Sequence, residues 1–295
     1  MRILNFGSLN LDYVYQVDHF ARPGETLSCL SRSVKAGGKG LNQSVALSRA
    51  GAKVCHAGCI GEEGEELKTL LDREGVDTSG ILRVPEMQGH TVIQVSREGE
   101  NCILLFGGSN LCVTDAQITR TLAGFSRGDW LILQNELNCP GAIVNAAWER
   151  GMTIVLNPSP FDERLRDVDF RKVRWLLVNE VEGAQITGAS QPDDVWASVH
   201  ERCPDLSLLI TLGSAGSEAW QMSGNDVLHA RQEAFPVRAV DTTGAGDTYT
   251  GYFIAGLMAG RPLPACMRRA AKAASLSVTR PGAASSIPFS RELSD

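Results

Sequence analysis

Along much of the chain, short unbroken apolar runs alternate with stretches where apolar residues return every three or four positions. The runs KVCHAGCIG (53–61), DWLILQ (129–134), MTIVLNP (152–158), RWLLVN (174–179) and LSLLITLG (206–213) predict strands covered on both faces. The intervening stretches GLNQSVALSRAGA (40–52), EEGEELKTLLDREGV (62–76), CPGAIVNAAWERG (139–151), EVEGAQITG (180–188) and PDDVWASVHERC (192–203) predict helices, the second closing on Gly75. PVRAV (236–240) reads as a further strand leading into the apolar helix that begins near Gly246. This rhythm predicts an α/β fold with a mostly parallel central sheet flanked by helices. A different pattern occupies RILNFGSLNLDYVYQV (2–17), TLSCLSRSVKA (26–36) and HTVIQVSREGENCILLFGG (90–108), the last a hairpin turning at REGEN. These pieces predict a small antiparallel β lid, approximately 11–35 and 90–107, on one domain spanning 1–295. Its outer positions, such as Tyr13, Tyr15, Val92 and Ile103, would cover a pocket or a partner subunit.

Ligands of open parallel sheets sit beyond the carboxyl ends of the strands. The turns there are GSLNLD (7–12), QNELN (134–138), NPSP (157–160), VNEVE (178–182), TLGSAGS (211–217) and DTTGAGD (241–247), and they hold most of the notable polar residues. Composition narrows the ligand. A net charge of −6 with no Lys/Arg block argues against nucleic acid, so an anion must be bound locally. No apolar stretch approaches a membrane span, and the N-terminal run is too short for a signal peptide, so a cytoplasmic location is expected. The eight scattered Cys read as reduced, mostly buried thiols, and CHAGC (55–59) as core strand because no second ligand pair accompanies it.

Two glycine-rich knots stand out, AGGKGLN (36–42) and DTTGAGD (241–247). Neither fits a Walker P-loop or a dinucleotide fingerprint: position 33 is Ser, Lys39 is followed by Gly40, and Tyr249 stands where the third glycine is required. In DTTGAGD, the amides of Gly244, Ala245, Gly246 and Asp247 at a helix start form an anion hole, with phosphate as the usual occupant. A carboxylate there is either a helix cap or a base that takes a proton beside the phosphate, and the loop alone leaves both open. In AGGKGLN, Lys39 and Asn42 offer a charge and an amide to a polyhydroxylated ligand, or else form a simple turn.

The two knots in this order, with GSLNLD, RPGET, QNELNCP, LNPSP, VNEVEGAQITG, TLGSAG and SVTRPGAASSIP, resemble the signatures of the phosphofructokinase-B (PfkB) carbohydrate kinases over nearly the whole chain. The resemblance implies a kinase that uses ATP, Mg²⁺ and K⁺ to phosphorylate a sugar's primary hydroxyl, with D-ribose to ribose 5-phosphate the specific expectation. Asp247 would be the base, and the amides of Gly244, Ala245 and Gly246 would hold the phosphoryl group. Asn10, Asp12, Gly38, Lys39, Gly40, Asn42 and Glu136 would bind the sugar. Asn179, Thr211, Gly213, Ser214, Gly216 and Gly246 would face the nucleotide. Glu182 would act on Mg²⁺ through water, although Glu180 and Glu182 also suit the first turn of a helix. Asp241, Thr243, Ser277, Arg280, Gly282 and Ser286 would surround K⁺, several through carbonyls; Asp241 also suits a plain turn. The lid implies a homodimer. Two positions depart from the pattern: Ala271 stands where Asn or His is common beside adenine, and Leu11 where a smaller residue is common. The alternatives are another substrate of the family (a nucleoside, fructose or a sugar acid) or a sugar-binding sensor without catalysis.

Overall fold

The continuous apolar runs become the inner strands of a nine-stranded sheet, where a strand covered on both faces buries apolar side chains at successive positions. The computed structural model describes residues 1–293. The first half contains β1 (Ile3–Phe6), β2 (Asn10–Gln16), β3 (Ser31–Gly37), α1 (Lys39–Arg49), β4 (Val54–Ile60), α2 (Glu65–Arg73), β5 (Asp77–Arg83), β6 (His90–Val95), β7 (Asn101–Phe106) and α3 (Asp115–Leu122). Then follow β8 (Trp130–Gln134), α4 (Pro140–Glu149), β9 (Thr153–Asn157), β10 (Trp175–Asn179), α5 (Glu180–Thr187), α6 (Pro192–Arg202) and β11 (Ser207–Thr211). The chain continues through β12 (Ser217–Ser223), β13 (Asp226–Gln232), α7 (Ala245–Met258) and α8 (Leu263–Ser277).

The large sheet runs β13-β12-β11-β10-β9-β8-β1-β4-β5, parallel from β11 to β5, with an antiparallel hairpin at the β13 edge. Alternate strand residues feed two apolar layers. Ile3, Ile132, Val155, Leu177 and Leu209 face α1, α2, α7 and α8; Leu4, Leu133, Leu156, Leu176 and Leu208 face the helices of the other side. Strand order reverses between β1 and β8, and that crevice is where a ligand is expected.

The smaller sheet, β3-β2-β6-β7, is antiparallel in its two outer pairings, but β2 and β6 run parallel, which refines the expected antiparallel lid. They can pair so because the α1–β5 excursion separates them, whereas β6 and β7 are joined by the expected hairpin. Two further expectations are corrected. The lid strand predicted from Thr26 begins only at Ser31, after an exposed irregular stretch. PVRAV is not a strand: residues 236–240 are exposed, Pro236 lacks a donor, and β12 and β13, absent from the sequence reading, take the sheet edge instead. The cysteines are unpaired as expected, but only Cys59 and Cys266 are buried. No helix among the described residues is long and apolar enough to cross a membrane.

Candidate active site

Helices α1 and α7 pack closely because Gly251 lies against Ala46 and the Leu47 backbone, where a side chain would not fit. This contact brings the first turn of α1 to the first turn of α7. There Asp247 lies buried, accepting from Asn42 Nδ2 at 3.0 Å and Gln43 Nε2 at 2.9 Å. Gly244 occupies the position before α7, in the left-handed region at φ 74°, and no side chain caps this helix. The cap reading of Asp247 therefore fails: its carboxylate faces across to α1 rather than back to its own backbone.

Among the described residues, the amides of Gly244, Gly246 and Asp247 have no acceptor. Ala245, counted among the donors from the sequence, instead donates to Thr242 O at 3.3 Å. Three free amides at the positive end of a helix face a cleft of about 140 Å³ lined also by Lys39, Asn157, Asn179, Glu182 and Thr211. Burial alone would lower the Lys39 pKa, but the carboxylates of Asp247, Glu136 and Glu182 raise it above the ordinary value, so the ammonium stays charged.

The residues expected on the sugar side lie on the other side of Asp247. Ser8 Oγ donates to Glu136 Oε2, which also accepts from the Lys39 amide at 3.2 Å, and the Gly40 amide donates to Ser8 Oγ at 3.2 Å. Burial pushes Glu136 above the usual carboxylate range, against the pull of Lys39 and Ser8. Asp12 accepts from Thr91 Oγ1 at 2.6 Å, and burial lifts its pKa to about 6, with Glu136 and Asp247 adding to the rise. Asn10 Oδ1 accepts from Asn110 Nδ2 at 2.7 Å, and Gly38 abuts the Asn10 amide. Asn42 Oδ1 is buried without a partner, an acceptor that a ligand hydroxyl would satisfy. Leu11 joins the core, and its strand neighbour Asp12 points to the opposite face.

The remaining residues divide between two other places. Asn179 and Glu182 form a reciprocal cap of α5 at 2.8 and 3.0 Å, and Glu182 also lines the cleft, whereas Glu180 is exposed. Gly213, Ser214 and Gly216 form the turn between β11 and β12, outside the cleft lining. Asp241 accepts from the Thr243 amide at 3.0 Å and the Gly282 amide at 2.8 Å, tying two loops together. Burial opposes its charge, but these hydrogen bonds hold its pKa below the usual value. The Ser277 and Ser286 hydroxyls donate to carbonyls of their own segments, and the Arg280 guanidinium pairs with Glu292 at 2.7 Å. Ala271 is buried in α8.

A carboxylate oriented by two amides beside free helix-terminal amides suits deprotonation of an alcohol next to a bound phosphoryl group. The model of the pfkB family carbohydrate kinases matches residues 2–290. The chain belongs to that family. Ribokinase of Haemophilus influenzae is 36% identical to this pfkB-family kinase over 299 residues, covering 97% of this chain and 95% of that protein. The crystal structure of ribokinase from Cryptococcus neoformans in complex with ADP is 34% identical, with a TM-score of 0.84 and coverage of 99% of this chain and 98% of that one. Arabidopsis thaliana ribokinase complexed with ribose and ATP is 27% identical, with a TM-score of 0.85 and coverage of 98% and 96%. The fold is ribokinase-like.

Several polar residues of this pfkB-family kinase were not singled out from sequence: Ser8, Gln43, Asn110 and Thr91, and the strand-end residues Gln134 and Asn157. A signal existed for the last two, since each is the polar residue that ends an apolar strand run at the ligand-bearing edge.

Proposed function

We propose that this kinase transfers the γ-phosphoryl group of ATP to the primary hydroxyl of D-ribose, giving ribose 5-phosphate and ADP. The observation that carries this reading is the Asp247 carboxylate, held by Asn42 and Gln43 beside the free amides of Gly244 and Gly246. Asp247 accepts the O5 proton as O5 attacks the γ-phosphorus and the bond to the β-phosphate oxygen breaks. The amides and Lys39 face the charge on the phosphoryl oxygens, where removing one such donor typically costs about 3 kcal/mol. The three ribokinases named above support the substrate, one of them through its ribose and ATP complex.

The lid supports a sugar over a nucleoside. Tyr13 meets His90 edge-on at 5.6 Å and His90 lies tilted against Phe106 at 4.9 Å, on the strand face opposite Asp12. No ring of that cluster flanks Asp12 to stack on a base. Intact Asp247 and free amides argue against a sensor without catalysis.

The donor set fits the expected cations. Glu182 uses one carboxylate oxygen for its cap, and its position in the cleft suits a water-mediated hold on Mg²⁺, which would neutralise charge on the nucleotide phosphates. The loops joined by Asp241 offer hard oxygens suited to K⁺ rather than to a transition metal, with Asp241, Thr243, Gly282 and Ser286 the residues that would hold it beside the anion hole. The exposed apolar residues of β7, Ile103, Leu104, Leu105 and Phe106, suit pairing of lids in a cytoplasmic homodimer, and closure of the lid would exclude water.

The test is turnover, read as ADP release, across ribose, fructose, a nucleoside and a sugar acid, with and without K⁺. Ribose should give the highest kcat/KM, and K⁺ should raise it; a preference for another acceptor would replace the substrate, and no turnover of any would defeat the kinase reading.

The raised pKa of Asp12 gives a second prediction. If the ionised form takes the sugar hydroxyls, an acid of pKa about 6 loses nearly all its charged form between pH 7 and pH 5, so ribose affinity should fall about tenfold over that interval. Asp12→Asn should flatten the dependence in direct calorimetric binding, and an unchanged slope would reassign it to another group.

A further inference from the structure

Asp247 terminates a buried line of side chains that crosses the sheet, in which Gln134 Oε1 is the one atom without a partner among the described residues. At the far end, burial holds the His56 imidazole near 4, so the ring is neutral. Its Nε2 faces Gly7 O at 3.2 Å and must carry the proton, which leaves Nδ1 to accept from the Ser44 hydroxyl at 2.8 Å. Ser44 Oγ then accepts from Asn5 Nδ2 at 2.9 Å, and the same nitrogen donates to Gly40 O at 2.8 Å. Asn5 Oδ1 therefore faces Gln134 Nε2 at 3.1 Å, which also donates to Gln43 Oε1 at 2.6 Å. With its oxygen occupied, Gln43 presents its nitrogen to Asp247 Oδ1 at 2.9 Å and Asn157 Oδ1 at 3.0 Å. Asn157 is oriented in turn by its donation to Leu177 O at 2.9 Å. Each amide has one orientation consistent with its neighbours.

Asn42 differs from Gln43 in a decisive way. Asn42 keeps a buried, unpartnered oxygen for a ligand, whereas Gln43 is fully buried with both ends of its amide engaged by protein. A change at Gln43 reaches the chemistry through the two groups its nitrogen holds, the Asp247 carboxylate and the cleft-lining Asn157, and only Asp247 can take a proton.

We propose that Gln43 is the positioning residue of the catalytic carboxylate: the line from His56 through Ser44, Asn5 and Gln134 locks its amide so that an N–H holds Asp247 Oδ1 in place and leaves the carboxylate aimed at the acceptor hydroxyl. The inference rests on the assignment of Asp247 as base. A network in which every amide direction is set in advance holds the base without reorganisation at the moment of transfer.

The experiment measures kcat, KM for ribose and ATP, and calorimetric ribose Kd for wild type, Gln43→Met and Gln43→Glu, with melting curves confirming the fold. Gln43→Met should lower kcat about 10- to 100-fold while ribose Kd moves by no more than about twofold, the scale of one charge-assisted hydrogen bond. Gln43→Glu should lose more, because it keeps the acceptor for Gln134 but sets a carboxylate against Asp247. In an Asp247→Asn background, Gln43→Met should change kcat less than about twofold, since the group it positions is gone. Should Gln43→Met fail to fold, Gln134→Met, one link further away, should lower kcat about 3- to 10-fold at unchanged ribose Kd. An unchanged kcat in a folded Gln43 or Gln134 variant, or a full loss carried into the Asp247→Asn background, overturns the inference. Wild-type protein that phosphorylates no sugar defeats the kinase reading instead.

Discussion

Asp247→Asn should lower kcat by about 10³- to 10⁴-fold, near the upper end of what a positioned general base contributes. The substitution keeps the size of the side chain and removes its capacity to accept the hydroxyl proton. Ribose and ATP should still bind within about fivefold of wild type, because Asn10, Asp12, Glu136 and the cleft amides are untouched. Stability should also fall. Asn42 Nδ2 and Gln43 Nε2 both donate to the carboxylate now. An amide at 247 can accept only one of them through its oxygen and turns an N–H toward the other, a buried mismatch worth about 1–3 kcal/mol. ADP-release kinetics, ribose calorimetry and melting curves on one preparation separate these effects, and unimpaired turnover would remove Asp247 from the mechanism.

Gly244→Ala should have the second-largest effect. At φ 74° an alanine costs roughly 1–2 kcal/mol, and its Cβ would stand 3.0 Å from Ala283 Cβ, closer than ordinary contact. Relief of that contact has to move either the start of α7 or the loop that carries Gly282, which Asp241 holds. The free amides would then shift relative to Asp247, and a shift approaching 1 Å is enough for a loss of about 10²-fold in kcat. Gly246→Ala is the control: nothing lies within 4 Å of its added Cβ, so its melting temperature should stay near wild type. Equal kcat for Gly244→Ala and wild type would show that the amide geometry at residues 244–246 is not critical.

The sheet was legible wherever strands lie between two helical layers, as in WLILQ and SLLIT, because burial on both faces leaves an uninterrupted apolar run. The lid hairpin was legible through its turn, with Gly99 at φ 84°. Legibility failed at the edges. PVRAV has strand-forming residues but no partner, and β12 and β13 show neither an unbroken apolar run nor a period-2 alternation, β12 being mostly buried and β13 mostly exposed. In the site, the glycine knots announced themselves through local spacing. Gln43, Asn5 and His56 did not, because a single amide or imidazole in a predicted helix or strand has no local signature, and Gln134 was marked only by ending the apolar run of β8. Their meaning comes from topology: β1 lies beside β4 and β8, and α1 packs on α7, so residues 5, 43, 134 and 247 meet across most of the chain length.

The most direct test is a crystal structure with ribose and a non-hydrolysable ATP analogue bound. The account predicts the ribose O5 within hydrogen-bond reach of Asp247, about 2.6–3.2 Å, and terminal phosphate oxygens on the amides of Gly244 and Gly246. O5 directed away from Asp247, with those amides facing solvent while the phosphates rest elsewhere, would contradict it.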